Sequence, residues 1–306
     1  MRSTRLAAAG TAVLAMATLG ACGGSDALES DSGASSAAAS DTIAVGSANF
    51  PENVLLANIY AGALEAKGVK VTKQLNIGSR EVYIKALEDG SIDLIPEYSG
   101  NLLAYFDKAT TATSPDEVLT QLKTKLPAAL TVAEQSTAQD KDAVVVTKAT
   151  ADKYKLTSIA DLAPVAKDLT LGGPPEWKTR ATGVPGLKKI YDVEFGSFRE
   201  LDAGGPLSIN ALKTGQVDAA NIFTTDPNIA ANNWVTLEDP KNLFLAGNVV
   251  PVVTKSKANA TVTEALDGVS AKLTTENLTA MMKQVVLDKT DPETVAKQFL
   301  TENGLS

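Results

Sequence analysis

Thr42-Ile43-Ala44-Val45-Gly46 is a short β-rich run, and after four intervening residues Pro51 to Lys67 carries apolar side chains at Leu56, Ile59, Tyr60, Ala63 and Leu64, which is helical spacing. A strand therefore enters a helix, and the pattern recurs. Val69 to Leu75 and Ile92 to Ile95 read as strands, Ser79 to Glu88, Asn101 to Phe106 and Pro115 to Lys125 as helices, and Leu130 to Glu134 as another strand. Alternation of β and α segments implies a mainly parallel sheet covered by helices.

A second series opens with the strand Ala143 to Thr147 and a short helix near Ser158 to Leu162. Leu169 to Gly172 reads as a strand, Pro175 to Ala181 and Pro185 to Tyr191 as helical, Ser208 to Lys213 as a helix stopped by Gly215, and Val217 to Ile222 as a buried strand. After the strand Val249 to Thr254, Thr261 to Leu273, Thr275 to Leu287 and Asp291 to Leu300 form a helical C-terminus without strands of its own. Those helices need a sheet to pack on, and the first lobe is the natural host. Two α/β lobes with the chain crossing near Asp142 to Val146 and near Gly247 to Val252 satisfy this order, with residues 42–142 and 252–306 in lobe I and 143–251 in lobe II. Such lobes rock about two hinge strands and close over a ligand.

Upstream of this body, Arg2 and Arg5 precede an alanine- and leucine-rich run from Leu6 to Leu19, too short to span a bilayer comfortably. Residues 1–21 read as a signal peptide. Leu19-Gly20-Ala21-Cys22 resembles the bacterial lipobox, whose cysteine is acylated and becomes the first mature residue. Residues 22–41 hold one large apolar side chain and bury too little surface to offset chain entropy, so they read as a lipidated flexible tether. The expected location is extracytoplasmic, anchored to the cell membrane through Cys22.

The remaining ~265 residues are enough for two lobes with real cores. Without residues 1–21 the chain carries 26 basic and 36 acidic side chains, a net charge of −10 that argues against a nucleic-acid partner. Histidine is absent, which removes the commonest general base and metal ligand. There is no Gly-x-Ser-x-Gly elbow, Walker loop or Gly-x-Gly-x-x-Gly. The inventory favours binding over catalysis, with no metal or cofactor expected. A secreted hydrolase using paired carboxylates is the rival from another class, and weak aromatic content gives it little sugar-stacking surface. An adhesion or assembly protein is a third, and it would need an exposed apolar patch.

Four segments carry a family resemblance. Gly46-Ser47-Ala48-Asn49-Phe50-Pro51-Glu52, Ile92-Asp93-Leu94-Ile95-Pro96-Glu97-Tyr98-Ser99-Gly100, Gly173-Pro174-Pro175-Glu176-Trp177-Lys178-Thr179-Arg180, and Gln216-Val217-Asp218 with Phe223-Thr224-Thr225-Asp226 resemble, in this order, segments of the solute-binding proteins of osmoprotectant ABC importers. The similarity runs from about Thr42 to Leu300. It implies a two-lobed fold of the type II periplasmic binding proteins, a quaternary amine such as glycine betaine or choline as solute, ABC permease subunits as partners, and a monomer.

The resemblance also places site residues. Tyr98 stands where one tyrosine of a quaternary-ammonium cage belongs, and Phe223 at a second keeps the ring and loses the hydroxyl. The third position, in Asp140-Lys141-Asp142-Ala143, and the fourth, near Gly247-Asn248, lack an aromatic residue. Two readings stay open: Asp142 replaces a ring with a charge and still holds a cation, or the pocket has changed its ligand. Ser47, Asn49 and Glu52 lie at a strand end where a helix begins, so they either hold a polar ligand group or cap that helix. Arg180 offers a planar fork for a ligand carboxylate, against a surface pairing with Glu176. Thr224 to Asp226 line the cleft or cap the next turn, and Asn248 completes the candidate set of Ser47, Asn49, Tyr98, Asp142, Arg180, Phe223 and Thr224. Asp93 and Glu97 read as cap or hinge acceptors, and Trp177 and Trp234 as packing anchors.

Overall fold

The computed structural model describes residues 42–306. The expected signal peptide, Cys22 and the expected tether lie outside the described residues. The first half of lobe I runs β1 (Thr42–Gly46), α1 (Pro51–Ala66), β2 (Lys70–Gln74), α2 (Arg80–Glu88), β3 (Leu94–Tyr98), α3 (Ser99–Phe106), α4 (Pro115–Lys125) and β4 (Leu130–Val132). Lobe II follows with β5 (Asp142–Val146), α5 (Lys148–Tyr154), β6 (Thr170–Gly173), α6 (Val184–Tyr191), β7 (Ser197–Glu200), α7 (Pro206–Lys213), β8 (Ala219–Phe223), α8 (Asn228–Ala231) and β9 (Val235–Thr236). The chain returns through β10 (Val249–Thr254) to α9 (Ala260–Ser270), α10 (Thr275–Val286) and α11 (Pro292–Glu302).

Two five-stranded sheets result, ordered β2-β1-β3-β10-β4 and β7-β6-β8-β5-β9. The expected mainly parallel arrangement holds for four strands of each sheet, and the fifth runs against its neighbours. β10 is antiparallel to β3 and β4, and β5 to β8 and β9. These are the two strands that enter from the other lobe, and arrival from that side reverses their direction. Both are buried along their whole length, so they read as valine runs without polar alternation.

The lobes repeat one device. Asp93, just before β3, donates its backbone N–H to Ala44 and accepts the Ala44 N–H on its carboxylate (2.9 Å). Asp218, just before β8, does the same with Thr170 (2.8 Å). Each carboxylate satisfies an N–H on the first parallel strand of its sheet that no ladder bond reaches.

Among the described residues there are four separate apolar clusters, one on each face of each sheet. In lobe I, Val45, Leu56, Tyr60, Leu266 and Phe299 belong to one, while Leu87, Ile95, Leu102 and Leu122 belong to the other. Alternate residues of β5 point to opposite faces, Val144 and Val146 joining Leu171 and Trp177, and Ala143 and Val145 joining Leu212, Ile222 and Trp234. At roughly 1.5–3 kcal/mol per fully buried large side chain, each lobe has its own source of stability. The C-terminal helices pack on α1 within the lobe I core.

The chain changes lobes over a few residues. Phe244 packs in the lobe II core and Leu245 in that of lobe I. The two crossing segments lie side by side, Gln139 bridging Asn248 and the Asp140 N–H donating to the Gly247 carbonyl at 2.9 Å. A Cβ on Gly247 would sit 2.0 Å from the Asp140 carbonyl oxygen, so only glycine permits this approach. The crossings come slightly earlier than expected. Asp142 already belongs to the second sheet, and Val249 to Pro251 already belong to the first. A strand's hydrophobic pattern does not mark where its partner changes.

The helix expected over Pro175 to Ala181 is a single 3-10 turn, Pro175–Lys178. Helix α5 and strands β7 and β9 have no counterpart in the sequence reading: α5 is mostly polar, β7 is a largely exposed edge strand, and β9 has two residues.

Candidate functional site

The ends of β1, β3, β5, β6 and β8 converge on a cleft of about 240 Å3 between the lobes. Lobe I supplies Asn49, Phe50, Arg80, Tyr83, Tyr98 and Asn101, and lobe II supplies Glu176, Arg180, Asp202, Asn221 and Phe223, with Asp140 and Asp142 at the crossing. Cleft placement at strand carboxyl ends is the rule for open α/β sheets, where loops are free to vary over a fixed scaffold.

Each wall is held by hydrogen bonds that the sequence encodes locally. Asn53, in the first turn of α1, accepts the Ala48 N–H (2.7 Å) and donates to the Pro96 carbonyl (2.8 Å), fixing the β1–α1 turn against β3. Pro96 faces Pro251 in the β3–β10 pairing. Two prolines fit there only as a pair that exchanges no ladder bonds, which turns the Pro96 carbonyl toward Asn53.

Four rings line the cleft, Phe50, Tyr83, Tyr98 and Phe223, and three of them adjoin across the lobes. Phe50 lies 6.1 Å from Tyr98 and 4.9 Å from Phe223, so it joins the tyrosine of lobe I to the phenyl ring of lobe II. Asp142, in register with Phe223 across the β5–β8 pair, is buried and accepts from Asn221 Nδ2 (2.9 Å) and from Asn101 Nδ2 of lobe I (3.1 Å). Of the expected residues, the structure brings together Asn49, Tyr98, Asp142, Arg180 and Phe223.

Ser47, Thr224 and Asn248 are not among the cleft-lining residues. Ser47 Oγ accepts the Asn76 N–H (2.8 Å) and anchors the turn after β2. Thr224 donates to Asp140 (2.9 Å) and accepts the Lys141 N–H (3.0 Å), fastening the crossing segment to lobe II. Asn248 donates to the Ser136 carbonyl (2.9 Å) beside the crossings. Phe50, Tyr83, Asn101 and Asn221 were missing from the sequence set. Phe50 stood inside a quoted motif, and an aromatic residue just before a helix-initiating proline was the available signal.

Arg180 pairs with Glu81 and not with Glu176. Its Nε and Nη2 donate to Glu81 of lobe I at 3.0 and 2.8 Å. Burial alone would raise the Glu81 carboxyl, and the Arg180 bonds and charge outweigh it and hold it down at about 2. The other arginine is also occupied. Arg80 donates twice to Glu97 (2.7 and 2.8 Å), which also accepts from the Tyr83 hydroxyl (2.6 Å) and the Tyr98 N–H (2.9 Å). Glu97 is therefore a buried clamp that orients three cleft residues.

Behind Tyr98 lies an acidic knot. Glu52 accepts from the Tyr98 hydroxyl (2.8 Å) and, across the lobes, from the Thr225 hydroxyl. Asp140 accepts the Thr225 N–H (3.1 Å). Burial pushes the Glu52 carboxyl up to about 7, with Asp226 adding to the shift and the Thr225 and Tyr98 bonds opposing it. Burial and the nearby Glu52 likewise raise Asp140. The N-terminus of α1 thus carries a carboxyl of its own rather than an open anion site.

A carboxyl raised in the folded state stabilises the protein fully below its unfolded value near 4.5, and that contribution is lost as pH rises through about 7. The melting temperature is expected to fall by roughly 5 °C between pH 5.5 and 8.5 through this group, and by clearly less in Glu52→Gln. Equal slopes for the two proteins would show that Glu52 does not carry the effect.

The comparisons with known proteins agree with this geometry. The OpuAC family, described as the substrate binding domain of ABC-type glycine betaine transport system, matches residues 41–302. The chain is 28% identical to the glycine betaine-binding protein YehZ of Escherichia coli (strain K12), over 87% of this chain and 92% of that protein. It is 26% identical to the carnitine transport binding protein OpuCC of Listeria monocytogenes, over 86% of this chain and 87% of that protein. A solved structure of a glycine betaine/carnitine/choline ABC transporter protein superposes with a TM-score of 0.67 at 25% identity, covering 86% of this chain and 99% of the other. The sheet order, the two crossings and the cleft all match what a two-lobed solute binder requires, and the chain belongs to the family of substrate-binding domains of ABC-type glycine betaine transport systems.

Proposed function

We propose that this protein captures a quaternary ammonium solute between its lobes outside the cytoplasmic membrane, as a monomer anchored through acylated Cys22, and presents it to the permease of an ABC importer. The observation that carries the reading is one cleft that combines the rings of Phe50, Tyr98 and Phe223 with the buried carboxylate of Asp142. Ring faces attract a methylated cation that forms no hydrogen bonds, and a carboxylate supplies the counter-charge. A volume of about 240 Å3 lies below the ~300–1,000 Å3 of drug-sized pockets and suits a small solute.

Binding acts by differential affinity. Asn101–Asp142, Glu52–Thr225 and Glu81–Arg180 all join lobe I to lobe II, so a ligand that touches both walls favours the arrangement in which these bonds form. Among the described residues no helix is long and apolar enough to cross a membrane. Isothermal calorimetry with choline, glycine betaine and carnitine tests the reading. Saturable binding of at least one is expected, with a rise in melting temperature of several degrees at ~100-fold excess over Kd. Silence toward all three would overturn it.

A further inference from the structure

We infer that Glu81 is a built-in occupant of the carboxylate position, and that it sets the cleft to accept quaternary ammonium alcohols over quaternary ammonium carboxylates. This deepens the functional reading above and rests on it. The two oxygens of Glu81 meet Nε and Nη2 of Arg180 at 3.0 and 2.8 Å, the same fork a ligand carboxylate would use. The second arginine of the cleft has no spare capacity for a carboxylate in that orientation either, since Nε and Nη2 of Arg80 are committed to Glu97.

Two further polar groups of the cleft act as acceptors. Asp142, on the cleft lining, is an acceptor. Asn221 directs one Nδ2 N–H at Asp142, which fixes the amide orientation and leaves Oδ1 as an acceptor, buried and with no partner among the described residues. A hydroxyl can donate to either group. A carboxylate can donate to neither and would face two oxygens of negative or partial negative charge. A carboxylate-bearing solute that takes the Nε–Nη2 edge of Arg180 has to displace Glu81 from it, whereas an alcohol leaves that bond in place and keeps the lobes joined.

Glu81 is half-exposed in the first turn of α2, so glutamine at this position does not threaten the core. The experiment is calorimetric titration of choline and of glycine betaine into the wild-type protein and into Glu81→Gln. The wild type is expected to bind choline at least about tenfold tighter than glycine betaine. In Glu81→Gln the affinity for glycine betaine should rise about tenfold while that for choline changes less than about threefold, and adding Arg180→Ala should cancel the gain. Wild-type choline binding with no selective gain in Glu81→Gln would overturn this inference and leave the functional reading intact. A gain for glycine betaine in a protein whose wild type ignores choline would support the role of Glu81 and overturn the preference for alcohols. No response of either protein to either solute would overturn this inference, and silence toward carnitine as well would overturn the functional reading.

Discussion

Glu97→Ala is expected to destabilise the protein by about 3–5 kcal/mol, the range for removing one partner of a buried ion pair. Glu97 is fully buried and the Arg80 side chain is 9% exposed, so the guanidinium left behind has little water to turn to. The same deletion strands the Tyr83 hydroxyl and the Tyr98 N–H, each at roughly 1–3 kcal/mol for an unpaired buried group, although these losses overlap with that of the ion pair. Urea unfolding followed by circular dichroism measures the effect. A change below ~1 kcal/mol would mean that Arg80 finds other partners and that the clamp is dispensable.

The second large effect is on binding. Asp142→Asn keeps the shape of the side chain and removes its charge, and choline affinity is expected to fall about 30-fold or more, or ~2 kcal/mol. Magnitudes decide why the carboxylate outweighs any one ring. A unit charge pair about 4 Å apart gains roughly 4 kcal/mol at an effective dielectric near 20, before desolvation is subtracted, whereas a single cation–ring contact supplies about 0.5–2 kcal/mol. The folded protein should tolerate the change, because asparagine can still accept from Asn101 or Asn221. Calorimetry of the variant reads the result. Retained affinity would place the cation away from Asp142 and contradict its role as counter-charge.

Local patterns made much of the fold legible. Pro51 at the start of α1, the Ser114–Glu117 capping box of α4 and the valine run of β10 each specify an element through neighbours in sequence. The reversed direction of β5 and β10 was not legible, since a buried strand looks alike in either orientation. The repeated Ile92-Asp93-Leu94 and Val217-Asp218-Ala219 units were available as a sign that both lobes use one plan, and only the paired bonds to Ala44 and Thr170 give that repetition meaning.

The site divides in the same way. Tyr98, Asp142 and Phe223 were reachable from their segments, and the cleft holds all three. The partner of Arg180 was not, because Glu81 lies 99 residues earlier on a helix of the other lobe. A nearby Glu176 at helical spacing was the visible candidate, and it lost because its segment forms a single 3-10 turn instead of a helix. Long-range ion pairs of this sort leave no periodicity in the sequence. They are also where the two lobes, each with its own core, are made to depend on each other.

Small-angle X-ray scattering of the protein with and without choline tests the central claim most directly. The account predicts a measurably smaller radius of gyration at saturating choline, with a scattering curve for the folded body that fits the interlobe contacts of Glu52, Glu81 and Asn101. A protein that binds choline and shows no compaction at all would contradict capture by closure of two lobes.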